Sequence, residues 1–152
     1  MITASYRCSA LPTQTVERLR RAPFDDFGNA LQPAVQSGPC RHCLRYAVPG
    51  ERLVLVAYQP FDVANPYRET GPIFVHADGC ERYRGAGLPP DFRTRPLVLR
   101  GYDAEQTIAR AEVVVDGAAE RRIADMLEDS EIAWIHVRSL THGCYLFRID
   151  RD

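Results

Sequence analysis

IAWIHVRSLTHGCYLFRID, residues 132–150, alternates side chains of different character on both sides of a short turn. In a strand, alternate residues share a face. Ala133, Ile135 and Val137 fall with Tyr145, Phe147 and Ile149 in one apolar set. Trp134, His136 and Arg138 fall with Cys144, Leu146 and Arg148 in the other. If Arg138 stands opposite Cys144, the two sets stay on separate faces; a slip of one residue mixes them. The stretch predicts a closing hairpin with one face in the core. The other face gathers imidazole, guanidinium, indole and thiol within side-chain reach.

Outward from this hairpin, strands are predicted at residues 2–8, 52–58, 73–77, 97–102 and 107–116. RLVLVAY, residues 52–58, is a continuous apolar run and reads as a strand covered on both faces. PTQTVERLRRAP, residues 12–23, predicts a helix opened by Pro12 and Thr13, with Val16 and Leu19 buried and Pro23 as its stop. GAAERRIADMLEDS, residues 117–130, predicts a second helix with Asp116 as N-cap and Ile123, Met126 and Leu127 as its apolar stripe. Residues 24–50 read as a long irregular loop, of a length more often functional or covering than idle. Strands cluster, and helices do not alternate with them. The expected fold is α+β: a single domain over 1–152, a mainly antiparallel mixed sheet, two short helices and long Pro/Gly-rich loops.

A chain of 152 residues buries about 70% of its unfolded surface and needs no metal or disulfide merely to fold. The net charge of -1 provides no field toward nucleic acid or anionic lipid. All 19 basic residues are arginine. Without lysine there is no Schiff base and no phosphate-loop lysine, so anion recognition falls to arginine or backbone N–H groups. No signal-peptide pattern and no apolar run long enough to span a bilayer occurs, which predicts a cytoplasmic protein with reduced thiols. Five cysteines, an odd number, fit a disulfide framework poorly.

Cys40 and Cys43 form a C-x-x-C pair, and HADGC supplies His76 and Cys80. Together Cys40, Cys43, His76 and Cys80 have the composition of a Cys3His zinc site. The alternatives are buried unligated thiols or a redox dithiol with His42 beside Cys40, which would need a helix starting at Cys40. Leu44 after the second cysteine excludes haem attachment. On the hairpin, Trp134, His136, Arg138 and Cys144 could contact an anionic ligand, with Arg41 as a further anion anchor; His136 beside Cys144 could also act as base and nucleophile; or the face is simply a partly covered outer surface with a satisfied histidine. Glu51, following Pro49-Gly50, reads as a general base or a solvated turn carboxylate. Asp25-Asp26, Glu128-Asp129 and Arg20-Arg21 read as solvated surface.

PCRHCLRYAVPGERLVLVAYQPF, NPYRETGPIFVHA and IAWIHVRSLTHGCYLFRIDR together resemble a bacterial family known as domain of unknown function 1203. The resemblance runs from about Pro39 to the end of the chain. It implies a small single-domain protein with no assigned activity. It also implies that Cys40, Arg41, Gly50, Glu51, Tyr67, Phe74, Val75, His136, Gly143 and Cys144 follow the family pattern. Cys43, His76 and Cys80 lie outside that pattern, so zinc held there would be this chain's own acquisition.

Three functional readings follow. The first is a non-enzymatic module binding a small anionic molecule through Arg41, Trp134, His136, Arg138 and Cys144. The second is a zinc-stabilised interaction domain using Cys40, Cys43, His76 and Cys80. The third is a hydrolase or transferase with Cys144 or Cys40 as nucleophile and His136 as base. None involves nucleic acid or membrane, and the long loops leave room for a homodimer face.

Overall fold

The computed structural model describes residues 5–34 and 36–152. Its strands divide between two antiparallel sheets. The larger has β1 (Tyr6–Ser9), β5 (Leu97–Tyr102), β6 (Ile108–Val114), β7 (Trp134–Ser139) and β8 (Tyr145–Arg151), in the order β1-β8-β7-β5-β6. The smaller has β2 (Gln32–Ala34), β3 (Leu53–Tyr58) and β4 (Gly71–His76), with β3 in the middle. Helices α1 (Thr13–Arg21) and α2 (Ala119–Glu128) complete the α+β fold. Residues 2–4 of the expected first strand lie outside the described residues. β2 was not anticipated; it is three residues long and contains Pro33, inside the stretch read as loop.

Each sheet has its own core. Leu97, Leu99, Ile135, Val137, Phe147 and Ile149 line one face of the larger sheet, against Ile123, Met126 and Leu127 of α2. Complete burial of such a side chain contributes about 1.5–3 kcal/mol. Gly101 of β5 permits the close approach of this layer, because a Cβ there would lie 2.8 Å from Ile132 Cδ1. Val16 and Leu19 of α1 pack with Val54, Val56, Ile73 and Val75 of the smaller sheet. α2 is capped differently from the expectation: Ala118 occupies the N-cap position, and Asp116 accepts its backbone N–H at 3.1 Å. Asp25 is buried rather than solvated. It accepts backbone N–H groups from Phe27, Asn29 and Ala57, which pins the 24–30 loop to β3.

The closing hairpin sorts its faces as expected only as far as Val137. Ile135 pairs with Ile149, His136 with Arg148 and Val137 with Phe147. A bulge then shifts the register, and Arg138 pairs with Tyr145 rather than Cys144. The extra residue exchanges two side chains between faces. Leu146 joins the α2 core, and Tyr145 packs edge-on against His136 at 5.0 Å between centroids. Gly143, at φ 71, takes the left-handed conformation at the hairpin turn.

The second face of this hairpin is covered, not open. Trp134 is 7% exposed, His136 0% and Arg138 6%. Phe61, Tyr102 and Tyr145 enclose His136. Neither of its ring nitrogens has a hydrogen-bond partner among the described residues. Burial, reinforced by Arg138, Arg148 and Arg100, lowers the His136 pKa to about 3. The unfolded chain therefore takes up a proton near the ordinary histidine value, about 6.5, that the folded protein refuses. Stability is retained above that value and falls as pH drops toward 3, by up to about 1.4 kcal/mol per pH unit from this group. We expect His136→Phe to flatten the stability–pH curve between pH 7 and 5 by one proton relative to the parent protein. Urea unfolding at several pH values measures this; parallel curves would show that His136 titrates freely in the folded state.

Candidate metal centre

The 38–51 loop closes on itself before it reaches the cluster. The Cys40 N–H donates to the Arg45 carbonyl at 3.0 Å, and the Leu44 N–H donates to the Cys40 carbonyl at 3.0 Å. Leu44 sits in the left-handed region at φ 54, which ends the turn without starting a helix. The helical setting of a redox dithiol is therefore absent at this C-x-x-C. The turn docks on β4: Cys40 bridges to Phe74, and the Arg41 N–H donates to the Phe74 carbonyl at 3.0 Å. Cys40 is thereby set beside the C-terminal end of β4, where His76 is the last strand residue. The following turn returns Cys80 to the same place, and the Tyr83 N–H holds it by donating to the His42 carbonyl at 2.9 Å.

One ligand atom from each of Cys40, Cys43, His76 and Cys80 falls within 4.8 Å of all the others. Cys40 Sγ is 3.9 Å from Cys80 Sγ, and Cys43 Sγ is 3.4 Å from His76 Nδ1. A tetrahedral ion with sulfur bonds of about 2.3 Å separates its sulfurs by roughly 3.8 Å. The cluster thus has the dimensions of a metal site, with Cys40 and His76 buried and Cys43 and Cys80 half-buried. Hydrogen bonds from the Cys43 and Cys80 thiols hold the Cys40 sulfur far below the ordinary thiol value. The His76 backbone N–H also reaches the Cys40 sulfur, at 3.3 Å. Cys43, donating to Cys40, is pushed up correspondingly.

A second layer of side chains orients the first. His76 turns Nδ1 toward the cluster and Nε2 toward Glu51 Oε2, 3.0 Å away. Glu51 is fixed by Arg45, whose two terminal nitrogens donate at 2.8 and 2.6 Å, and by the Val48 N–H at 2.9 Å. Arg45, then the Val48 N–H and His76, hold the Glu51 carboxyl well below the usual range. A carboxylate behind a ligating imidazole sets the ring's tautomer and raises its basicity. On the other side, His42 Nδ1 lies 3.1 Å from Cys80 Sγ, and Thr13 Oγ1 lies 2.9 Å from His42 Nε2. Burial lowers the His42 pKa. Glu51 is therefore not the solvated turn carboxylate expected, and Arg45 and His42 gain roles behind the ligands. Their only sequence signal was proximity to Cys43.

The hairpin residues do not meet in one place. Arg41 and Cys144 share a recess between the smaller sheet and the hairpin tip. Arg138 and Cys144 border a second, beside Tyr58 and Glu69. Trp134 and His136 border a third, beside Arg148. Arg138 is paired with Glu69 at 2.8 Å. Among the described residues no thiol lies within hydrogen-bonding reach of either His136 nitrogen.

No helix among the described residues is long and apolar enough to cross a membrane. No curated protein and no solved structure matches the chain. The family profile described as Protein of unknown function (DUF1203) matches residues 37–151, which include the cysteine cluster, its second layer and the closing hairpin. The chain belongs to that family.

Proposed function

We propose that this chain is a zinc-stabilised, non-enzymatic binding domain, with zinc held by Cys40, Cys43, His76 and Cys80. The observation that carries the reading is the convergence of three sulfurs and one imidazole nitrogen from the 40–43 turn, the end of β4 and the turn after it. Three thiolates and one imidazole form a soft tetrahedral set that suits zinc. Four protein ligands leave no open coordination position, which points to a structural rather than a catalytic ion. Three thiolates around a dication carry one net negative charge, and Arg45 stands against Glu51 beside it. The five free cysteines suit a reducing, cytoplasmic compartment.

The metal's role would be to lock the 38–51 loop. That loop packs on β4 through Cys40 and Ala47 but has no strand or helix of its own. We expect untagged protein to carry one zinc per chain and Cys43→Ser to lose it. Removal of the ion should lower the melting temperature by roughly 10 °C, given several kcal/mol of metal binding and about 2–4 °C per kcal/mol at this size. Cys144→Ser, whose sulfur lies outside the cluster, should keep zinc and melt normally. Elemental analysis with thermal melts decides; far less than one metal per chain after growth in zinc and refolding with zinc would end the reading.

The second layer has its own test. Glu51→Gln keeps the size of the side chain but removes the charge behind His76, and should weaken zinc binding about 10- to 100-fold. Competition against a chromophoric chelator measures this. An unchanged affinity would show that Glu51 only closes the Pro49-Gly50 turn.

A further inference from the structure

A cavity of about 290 Å³ opens between the smaller sheet and the tip of the β7–β8 hairpin. Its walls are largely apolar, including Leu55, Ile73, Phe74 and Leu146. Among the described residues Arg41 is its one guanidinium, and no Asp or Glu lines it. Arg41 is 3% exposed, yet it takes part in no ion pair among the described residues. Its Nε donates to the Tyr145 carbonyl at 2.7 Å and its Nη1 to the Pro39 carbonyl at 2.5 Å. These two bonds fix the plane of the guanidinium. Nη2 has no protein partner among the described residues, and Arg41 lines the cavity. The result is a buried, rigid cation that no carboxylate among the described residues pairs, with the Cys40 sulfur of the cluster acting on it only through space. Such a charge is costly unless an anion completes it.

We propose that this cavity binds a small monocarboxylate with an apolar body, its carboxylate on Arg41 and its tail against Phe74 and Leu146. One guanidinium matches one negative charge; the other titratable nitrogen base in the described walls is the His142 imidazole, which adds no fixed positive charge for a phosphate dianion. The volume limits the tail to a few carbon atoms or one ring. Ser139, at the hairpin tip, also lines the cavity and offers a hydroxyl to the second carboxylate oxygen. The site is independent of the metal reading: Arg41 is placed by the carbonyls of Tyr145 and Pro39 and by the backbone bond to Phe74, not by a thiol.

The probes are benzoate and hexanoate, each set against its neutral amide, with amide-nitrogen NMR of the metal-loaded protein as readout. Metal content is measured on the same sample, so loss of zinc and loss of binding are told apart. Either carboxylate should give saturable shifts at Arg41, Phe74 and Cys144, with one site per chain. It should bind about tenfold tighter than its amide, the worth of one charge-assisted hydrogen bond. Arg41→Gln should remove that preference, and Cys144→Phe, which fills the cavity, should remove binding of both forms. If Arg41→Gln does not fold, the acid–amide comparison and Cys144→Phe still decide. No saturable shift with either carboxylate, equal binding of acid and amide, or shifts confined to surface arginines would each overturn the proposal.

Discussion

The 38–51 loop is held against β4 by donor atoms more than by bulk. Its turn lays Cys40 beside Phe74, and the chain leaving β4 places His76 and then Cys80 on the same point. Three sulfurs so close compete for one negative charge unless a cation satisfies all of them. The imidazole at the fourth corner is aimed by Glu51, which is itself clamped by Arg45 from the same loop. Loop and strand therefore hold each other through a closed ring of polar contacts, and a metal ion would sit at its centre. Arg41, between the two cysteines of the turn, is held separately, by its backbone bond to Phe74 and by the carbonyls of Tyr145 and Pro39.

The rest of the protein follows from two ordinary hydrophobic cores and an uneasy layer between them. α2 covers one face of the larger sheet and α1 packs on the smaller. The remaining face of the larger sheet carries Arg100, Arg138 and Arg148 around a neutral, sealed His136. Glu69, from the connection after β3, pairs with Arg100 and Arg138 and so fastens that connection over the imidazole. Glu69 and Asp150, the latter paired with Arg148, thus offset part of a strongly cationic layer.

Much of this was legible in the sequence. The apolar run LVLRGY gave β5 to the residue, and the C-x-x-C with the downstream His76 and Cys80 identified the four cluster members. The bulge was not legible. Tyr145 and Leu146 are both apolar, so alternation alone cannot say which of them faces the α2 core. Strand β2 was hidden because three residues including a proline carry no periodicity. The Glu51–Arg45 pair was not legible because charges six residues apart across Pro49-Gly50 follow no helix or strand spacing. A covered face with a satisfied histidine was among the readings, but complete burial of an unpartnered His136 was not legible, because the covering Phe61 comes from a proline-punctuated connection whose path the sequence does not encode locally.

X-ray absorption at the zinc edge of the purified, untagged protein tests the central arrangement most directly. The account predicts a first shell of three sulfurs at about 2.3 Å and one nitrogen at about 2.0 Å. A shell made only of nitrogen and oxygen, or no zinc edge above background in protein refolded with the metal, would contradict it.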